Sequence, residues 1–111
     1  MKNLIGNSWV ESSDGKVIDI INPATNELIS TVPNSTVEDV NGAVEEAYRA
    51  QKNWQKVPMH ERGRILKNYI DLVEKESDDL AKLLCAETGK PIKEARAEIA
   101  NVRIFVEGYI E

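Results

Sequence analysis

The residues of this chain with a type suited to chemistry are few and stand far apart. Cys85 is the only thiol and His60 the only imidazole. A nucleophilic dyad needs the base beside the sulfur, and no motif links these two positions. Cys85 lies in the last turns of a helical pattern, where the helix dipole disfavours a thiolate. It reads as a small buried apolar residue. His60 stands beside Glu61 at a helix start and reads as an exposed first-turn residue. Glu87 and Glu94 have the chemistry of a carboxylate pair, but both fall at helix ends and read as solvated. Lys90 follows Gly89 without the earlier glycine and the following Ser or Thr of a phosphate loop. Gly6 and Gly15 are isolated hairpin glycines. Trp9 and Trp54 read as core or interface anchors. Residue by residue, the chain holds no catalytic constellation.

The elements that carry these residues meet at Glu87-Thr88-Gly89-Lys90-Pro91. Gly89 can take the left-handed conformation that closes a helix. Pro91 has φ already set for a first helical turn, where its missing N–H costs nothing. Before this corner, residues 59–88 read as one long helix with the stripe Ile65, Leu66, Tyr69, Ile70, Val73, Leu80, Leu83 and Leu84. Glu74 through Asp79 is polar and interrupts the stripe, which suggests an overhang or a kink without a proline to force it. After the corner, residues 91–111 read as a helix with Ala95, Ile99, Val102, Val106 and Tyr109 on one face. Ile104, Phe105 and Ile110 broaden that face. An earlier helix, 35–57, carries Val37, Val40, Val44 and Ala47 at intervals of three and four, extended by Trp54. Its start fits a capping box twice, as Ser35 with Glu38 or Thr36 with Asp39, and the spacing alone does not choose. Residues 1–33 read as short strands around Gly6-Asn7, Ser12-Ser13-Asp14-Gly15 and Asn22-Pro23, forming a small antiparallel meander. The expected fold is α+β and mostly helical: N-terminal antiparallel strands, then three amphipathic helices.

Length and composition set the outer limits. A chain of 111 residues is one domain or part of one, here read as a single partial domain. It is 41% hydrophobic and 30% charged, which is globular rather than disordered. A net charge of −5, with Lys and Arg interleaved among acids, argues against nucleic acid or an anionic membrane as partner. No apolar run approaches a membrane-spanning length. One cysteine and no signal peptide point to the cytoplasm.

The order of motifs resembles the N-terminal part of the aldehyde dehydrogenase superfamily. The matching pieces begin with Asn7-Ser8-Trp9-Val10 and Asn22-Pro23-Ala24-Thr25-Asn26-Glu27-Leu28-Ile29. Asp39-Val40-Asn41-Gly42-Ala43-Val44, Trp54 and Arg62-Gly63-Arg64-Ile65-Leu66 follow. Glu87-Thr88-Gly89-Lys90-Pro91 comes last, with Glu94-Ala95 and Glu98-Ile99 behind it. The likeness runs from about Leu4 to Glu111. It implies the outer N-terminal part of a Rossmann-like cofactor-binding domain, in an enzyme that oxidises an aldehyde with NAD or NADP. In such enzymes a downstream cysteine attacks the aldehyde and a downstream glutamate acts as base. An asparagine amide with a backbone N–H stabilises the oxyanion. Cys85 does not correspond to that nucleophile, and the dinucleotide pocket comes from later βα units. Neither cofactor is expected to bind this chain alone.

Two finer implications concern residues of this sequence. Some family members bind a monovalent cation through backbone carbonyls before the Asn-Pro turn and the acid that opens the second motif. Here those would be Ile20, Ile21 and Glu87, an incomplete set of hard oxygen ligands. The helix after the corner also lines the aldehyde entrance in many members, which makes Glu98 to Phe105 candidates. The chain is therefore expected to be an inactive N-terminal fragment of the enzyme. Its partner would be the missing remainder, or another copy through the apolar helix faces. The alternative is a stand-alone helical binding or regulatory module derived from the enzyme.

Overall fold

The computed structural model describes residues 1–110. They form four short strands followed by four helices, and divide into two compact units. One comprises Met1–Ile21 and Glu27–Lys56; the other comprises Asn22–Asn26 and Val57–Glu111. None of the helices is long and apolar enough to cross a membrane.

In the first unit, strands β1 (Asn3–Ile5) and β2 (Ser8–Val10) pair antiparallel, with Leu4 opposite Trp9. Gly6 and Asn7 both take positive φ, at 56° and 61°, as a two-residue turn of matching twist requires. Strands β3 (Val17–Ile21) and β4 (Leu28–Pro33) pair antiparallel, with Ile18 opposite Val32. Among the described residues β2 does not pair with β3, so the strands form two separate ribbons and not a continuous meander. The polar turn Ser12-Ser13-Asp14-Gly15 lies between the ribbons in sequence and uses its side chains locally. Ser12 Oγ is 2.6 Å from Asp14 Oδ1 and 3.0 Å from the Asn34 carbonyl.

Helix α1 spans Val37–Trp54. Its start settles the capping choice: Thr36 Oγ1 accepts from the Asp39 amide, and Asp39 Oδ2 accepts from the Thr36 amide. Asp39 Oδ2 also accepts from the Ser13 amide at 3.1 Å, and Asn3 Nδ2 donates to Ser35 Oγ at 2.7 Å. The valine stripe is not the packed face of this helix. Asp39, Ala43 and Glu46 are half-buried, whereas Val37, Val40 and Val44 are exposed. The Glu46 side chain of this helix lies next to Gly6 at the β1–β2 turn, and the apolar stripe is left uncovered in this chain.

In the second unit the helix expected over 59–88 is two helices, α2 (Met59–Lys75) and α3 (Ser77–Thr88). Four helices therefore stand where three were expected. Glu76 breaks the run, with φ −97° and ψ 10°. Its N–H still donates to Leu72 and Glu74, so α2 closes normally. The cause lies in the charges. Glu74 and Asp78 would repel at the i,i+4 spacing of one helix. Asp78 and Asp79 are favoured instead in the first turn of a new one.

Helix α4 spans Ile92–Ile110 and runs antiparallel to α2 and α3. Arg96 reaches Asp78, Arg103 reaches Glu74 and Asp71, and Ile110 lies against Gly63. The buried apolar centre is thin. Ile70, Ala81 and Ala95 are each fully enclosed, and Ile70 is the only large one. Two alanines at the α3–α4 contact allow the backbones to come close. Tyr109, Ile104 and Phe105 face outward, Tyr109 with 89% of its surface exposed.

Candidate functional site

The corner between α3 and α4 is held by short-range hydrogen bonds. Gly89 takes φ 72° and donates its N–H to the Cys85 carbonyl at 2.9 Å. Thr88 Oγ1 donates to the Leu84 carbonyl at 2.6 Å. The Pro91 carbonyl accepts the N–H of Ala95 at 3.1 Å and so opens α4. Cys85 Sγ donates to the Lys90 carbonyl at 3.0 Å, and the Lys90 ammonium pairs with Glu98. The Asn22–Asn26 turn belongs to the same unit, and Pro23 lies directly against Gly89. That turn is an Asx turn: Asn22 Oδ1 accepts from Ala24 N–H at 2.9 Å, and Asn22 O accepts from Asn26 N–H at 2.8 Å. The two most distinctive sequence motifs are therefore in van der Waals contact.

The structure does not assemble the Cys–His pair. Cys85 is in α3, close to the corner with α4, and points its thiol at a backbone carbonyl. His60 is at the start of α2, near Gly63 and the far end of α4, with its ring 3.7 Å from Glu61. About 28 Å of helix separates the two ends of α4. Glu87 is exposed in the last turn of α3. Ile20 and Ile21 lie in β3, where the ladder with β4 shifts register between them. Such an irregularity turns backbone groups out of the regular pairing. Among the described residues no group of three or more His, Cys, Asp or Glu is placed to hold a metal ion.

Helix starts are the usual anion-binding places of a fold. Here each first turn carries acid: Glu38 and Asp39 in α1, Glu61 in α2, Asp78 and Asp79 in α3, Glu94 in α4. These carboxylates satisfy the helix dipoles and repel phosphate. Both strand pairs are antiparallel, and none of these helices opens from a glycine-rich turn after a parallel strand.

The strongest electrostatic feature was not foreseen in the sequence. Arg103 gathers three carboxylates: Asp71 at 2.8 Å, both oxygens of Glu74, and Glu107 at 2.7 Å. Hydrogen bonds from Arg103 hold the Glu74 carboxyl below its ordinary range. A signal existed. The run from Asp71 to Asp79 carries five acids and one lysine, and an arginine one helix away is its natural counter-ion.

The sequence model of the aldehyde dehydrogenase family matches residues 9–111. A malonate-semialdehyde dehydrogenase of Oceanobacillus iheyensis is 46% identical over 99 residues, covering 89% of this chain and 20% of that protein. The NADP(+) succinate-semialdehyde dehydrogenase of Escherichia coli is 35% identical over 108 residues, covering 97% of this chain and 22% of that protein. Among solved structures, one described as an E. coli NADP dependent enzyme superposes with a TM-score of 0.95 at 34% identity. It covers 98% of this chain and 23% of that one. The chain thus spans about a fifth of the length of the curated relatives it matches. With nearly all of its length inside that match, the chain belongs to the aldehyde dehydrogenase family.

Proposed function

We propose that these 111 residues are the N-terminal segment of an NAD(P)-dependent aldehyde dehydrogenase. The complete protein would oxidise an aldehyde to a carboxylic acid in the cytoplasm. One observation carries the reading: the family match takes in residues 9–111, yet the relatives are about five times longer. Both curated relatives named above act on a semialdehyde, and the aldehyde group is what they share.

Within that enzyme this segment supplies scaffold. Its one thiol is engaged with the Lys90 carbonyl, and its acidic helix starts do not suit a dinucleotide phosphate. Nucleophile, base and cofactor pocket are assigned to the remaining four-fifths. In the complete protein the carbonyls of Ile20 and Ile21 and the carboxylate of Glu87 would serve a monovalent cation. The uncovered stripe Val37, Val40, Val44 and the outward Ile104, Phe105 and Tyr109 would be covered by the rest of the polypeptide. Monomers seldom leave contiguous apolar patches of that kind open.

The test has two arms. The purified 111-residue chain, given an aldehyde and NAD or NADP, should form no reduced nicotinamide. It should self-associate or bind a hydrophobic dye. Aldehyde-dependent NAD(P)H formation would overturn the scaffold reading. A strict monomer without dye-binding surface would favour the independent binding module instead.

A further inference from the structure

The break at Glu76 has features of a joint. It contains neither proline nor glycine, the usual causes of a sharp bend. Helix α3 begins there without a side-chain cap, and Glu76 bridges the break, its N–H donating to the Leu72 carbonyl at 3.1 Å and its carbonyl accepting the Leu80 N–H at 3.0 Å. Both bonds pivot on this one residue, whose φ of −97° and ψ of 10° depart from helical values. What spans the break is α4. Arg103 binds Asp71 and Glu74 on the α2 side, and Arg96 Nε binds Asp78 on the α3 side at 3.2 Å. The two arginines are seven residues apart, two turns along one face of α4. Between them lies a cleft under the break, lined by Ser77, Ile99 and Ala100 among others. The small Ala100 leaves room there for movement.

We infer that Glu76 is a hinge whose angle is set by two arginine clamps from α4, and that ionic strength releases it. The acid run around the hinge repels itself, so α3 stays seated only while the arginines neutralise it. Arg103 is the stronger clamp because its planar fork bridges three carboxylates at once. These groups are partly exposed, and added salt screens them over about 10 Å at 0.1 M. This conformational device is independent of the activity of the complete enzyme.

Amide hydrogen exchange on the 111-residue chain tests it. At low salt, amides from Leu72 to Leu80 should exchange slowly. Raising the salt should speed them about two- to fivefold, the range open to partly exposed ion pairs. Arg103→Met at low salt should match wild type at high salt and respond little to further salt. Arg96→Met should act mainly on Ser77 to Leu80. Arg103→Lys, with charge but no fork, should fall between. Amides around Ala81 and Ala95 should not change in any of these. Acceleration spread evenly over the three helices would mean general destabilisation and would overturn the hinge. So would salt-insensitive exchange at the break, or Arg103→Lys behaving as wild type. If Arg103→Met does not fold, the wild-type salt series and Arg96→Met still decide.

Discussion

A Cβ placed on Gly89 would lie 2.9 Å from Cγ of Pro23, closer than real Cβ contacts come. The absent side chain does two things at one position. It permits φ 72°, which closes α3, and it leaves space for the ring of the Asn22–Asn26 turn. The two motifs that mark the family in sequence are thus the two halves of one contact. This explains why they belong together although more than sixty residues separate them.

Gly89→Ala should therefore destabilise the chain twice over. Left-handed strain costs about 1–2 kcal/mol, and the Pro23 clash adds about 1 kcal/mol or more. Pro23→Ala removes the Cγ that makes the closest approach. In a denaturant double-mutant cycle, Gly89→Ala should cost less in the Pro23→Ala background by about the clash component. Additive effects of the two substitutions would show that Pro23 does not press on this position.

The capping box predicts a local effect at α1. Thr36→Ala removes the acceptor for the Asp39 amide, a loss of about 1 kcal/mol for such caps. No residue of α1 is fully buried, so packing will not mask the loss. Amides of Val37 to Val40 should lose exchange protection while those of α3 keep theirs. Unchanged protection in the first turn of α1 would remove the cap from the account.

Acid should loosen the same region in a defined window. The Asp14 carboxyl is lowered to about 2, first by the Ser12 hydroxyl and then by the Lys16 amide. Asp39 is lowered too, chiefly by the Thr36 amide and next by the Ser13 amide. A carboxyl depressed in the folded state protonates earlier in the unfolded chain, near pH 4 for aspartate. Its stabilisation is thus complete above about pH 4 and is lost as pH falls from there through about 2. Ser12→Ala should raise the Asp14 midpoint, followed by its side-chain carboxyl resonance during an acid titration. A midpoint that stays where it was would refute the Ser12 contribution.

The sequence made some of this legible and hid the rest for physical reasons. Turn chemistry is local, so Gly6-Asn7, Asn22-Pro23 and the Gly89 corner fall where spacing placed them. Periodicity placed Ala95, Ile99, Val102 and Val106 on the inner face of α4 but wrongly added Tyr109, which lies almost wholly in the open. It misled at α1, because an apolar stripe reports what a helix is built to bury, and this chain alone does not cover Val37, Val40 and Val44. The break at Glu76 was visible only as a polar interval, because repulsion among acids leaves no hydrophobic signature. The separation of the two ribbons depends on which strand edges meet, and alternation within a strand does not encode that. For the site, Cys85 reads as a buried apolar residue but is half-buried with its thiol on the Lys90 carbonyl, and the grip of Arg103 on Asp71 and Glu74 joins groups about thirty residues apart that only the antiparallel packing of α4 brings together.

Three helical glycines give the last prediction, because identical substitutions should differ in sign. Alanine exceeds glycine in an exposed helix interior by about 0.8–1 kcal/mol. A Cβ on Gly42 in α1 or on Gly108 in α4 meets nothing within 4 Å. Gly42→Ala and Gly108→Ala should each stabilise by about that amount. Gly63 is buried in α2, and a Cβ there would stand 3.0 Å from Cγ2 of Ile110. Gly63→Ala must move the end of α4, so its helix gain should be cancelled or reversed. Trimming the contact should restore the gain: in an Ile110→Ala background, Gly63→Ala should become stabilising. Urea midpoints of these five variants, Ile110→Ala alone included, measure this. If Gly63→Ala stabilised as much as Gly42→Ala with Ile110 intact, the close packing of α2 on the end of α4 would be disproved.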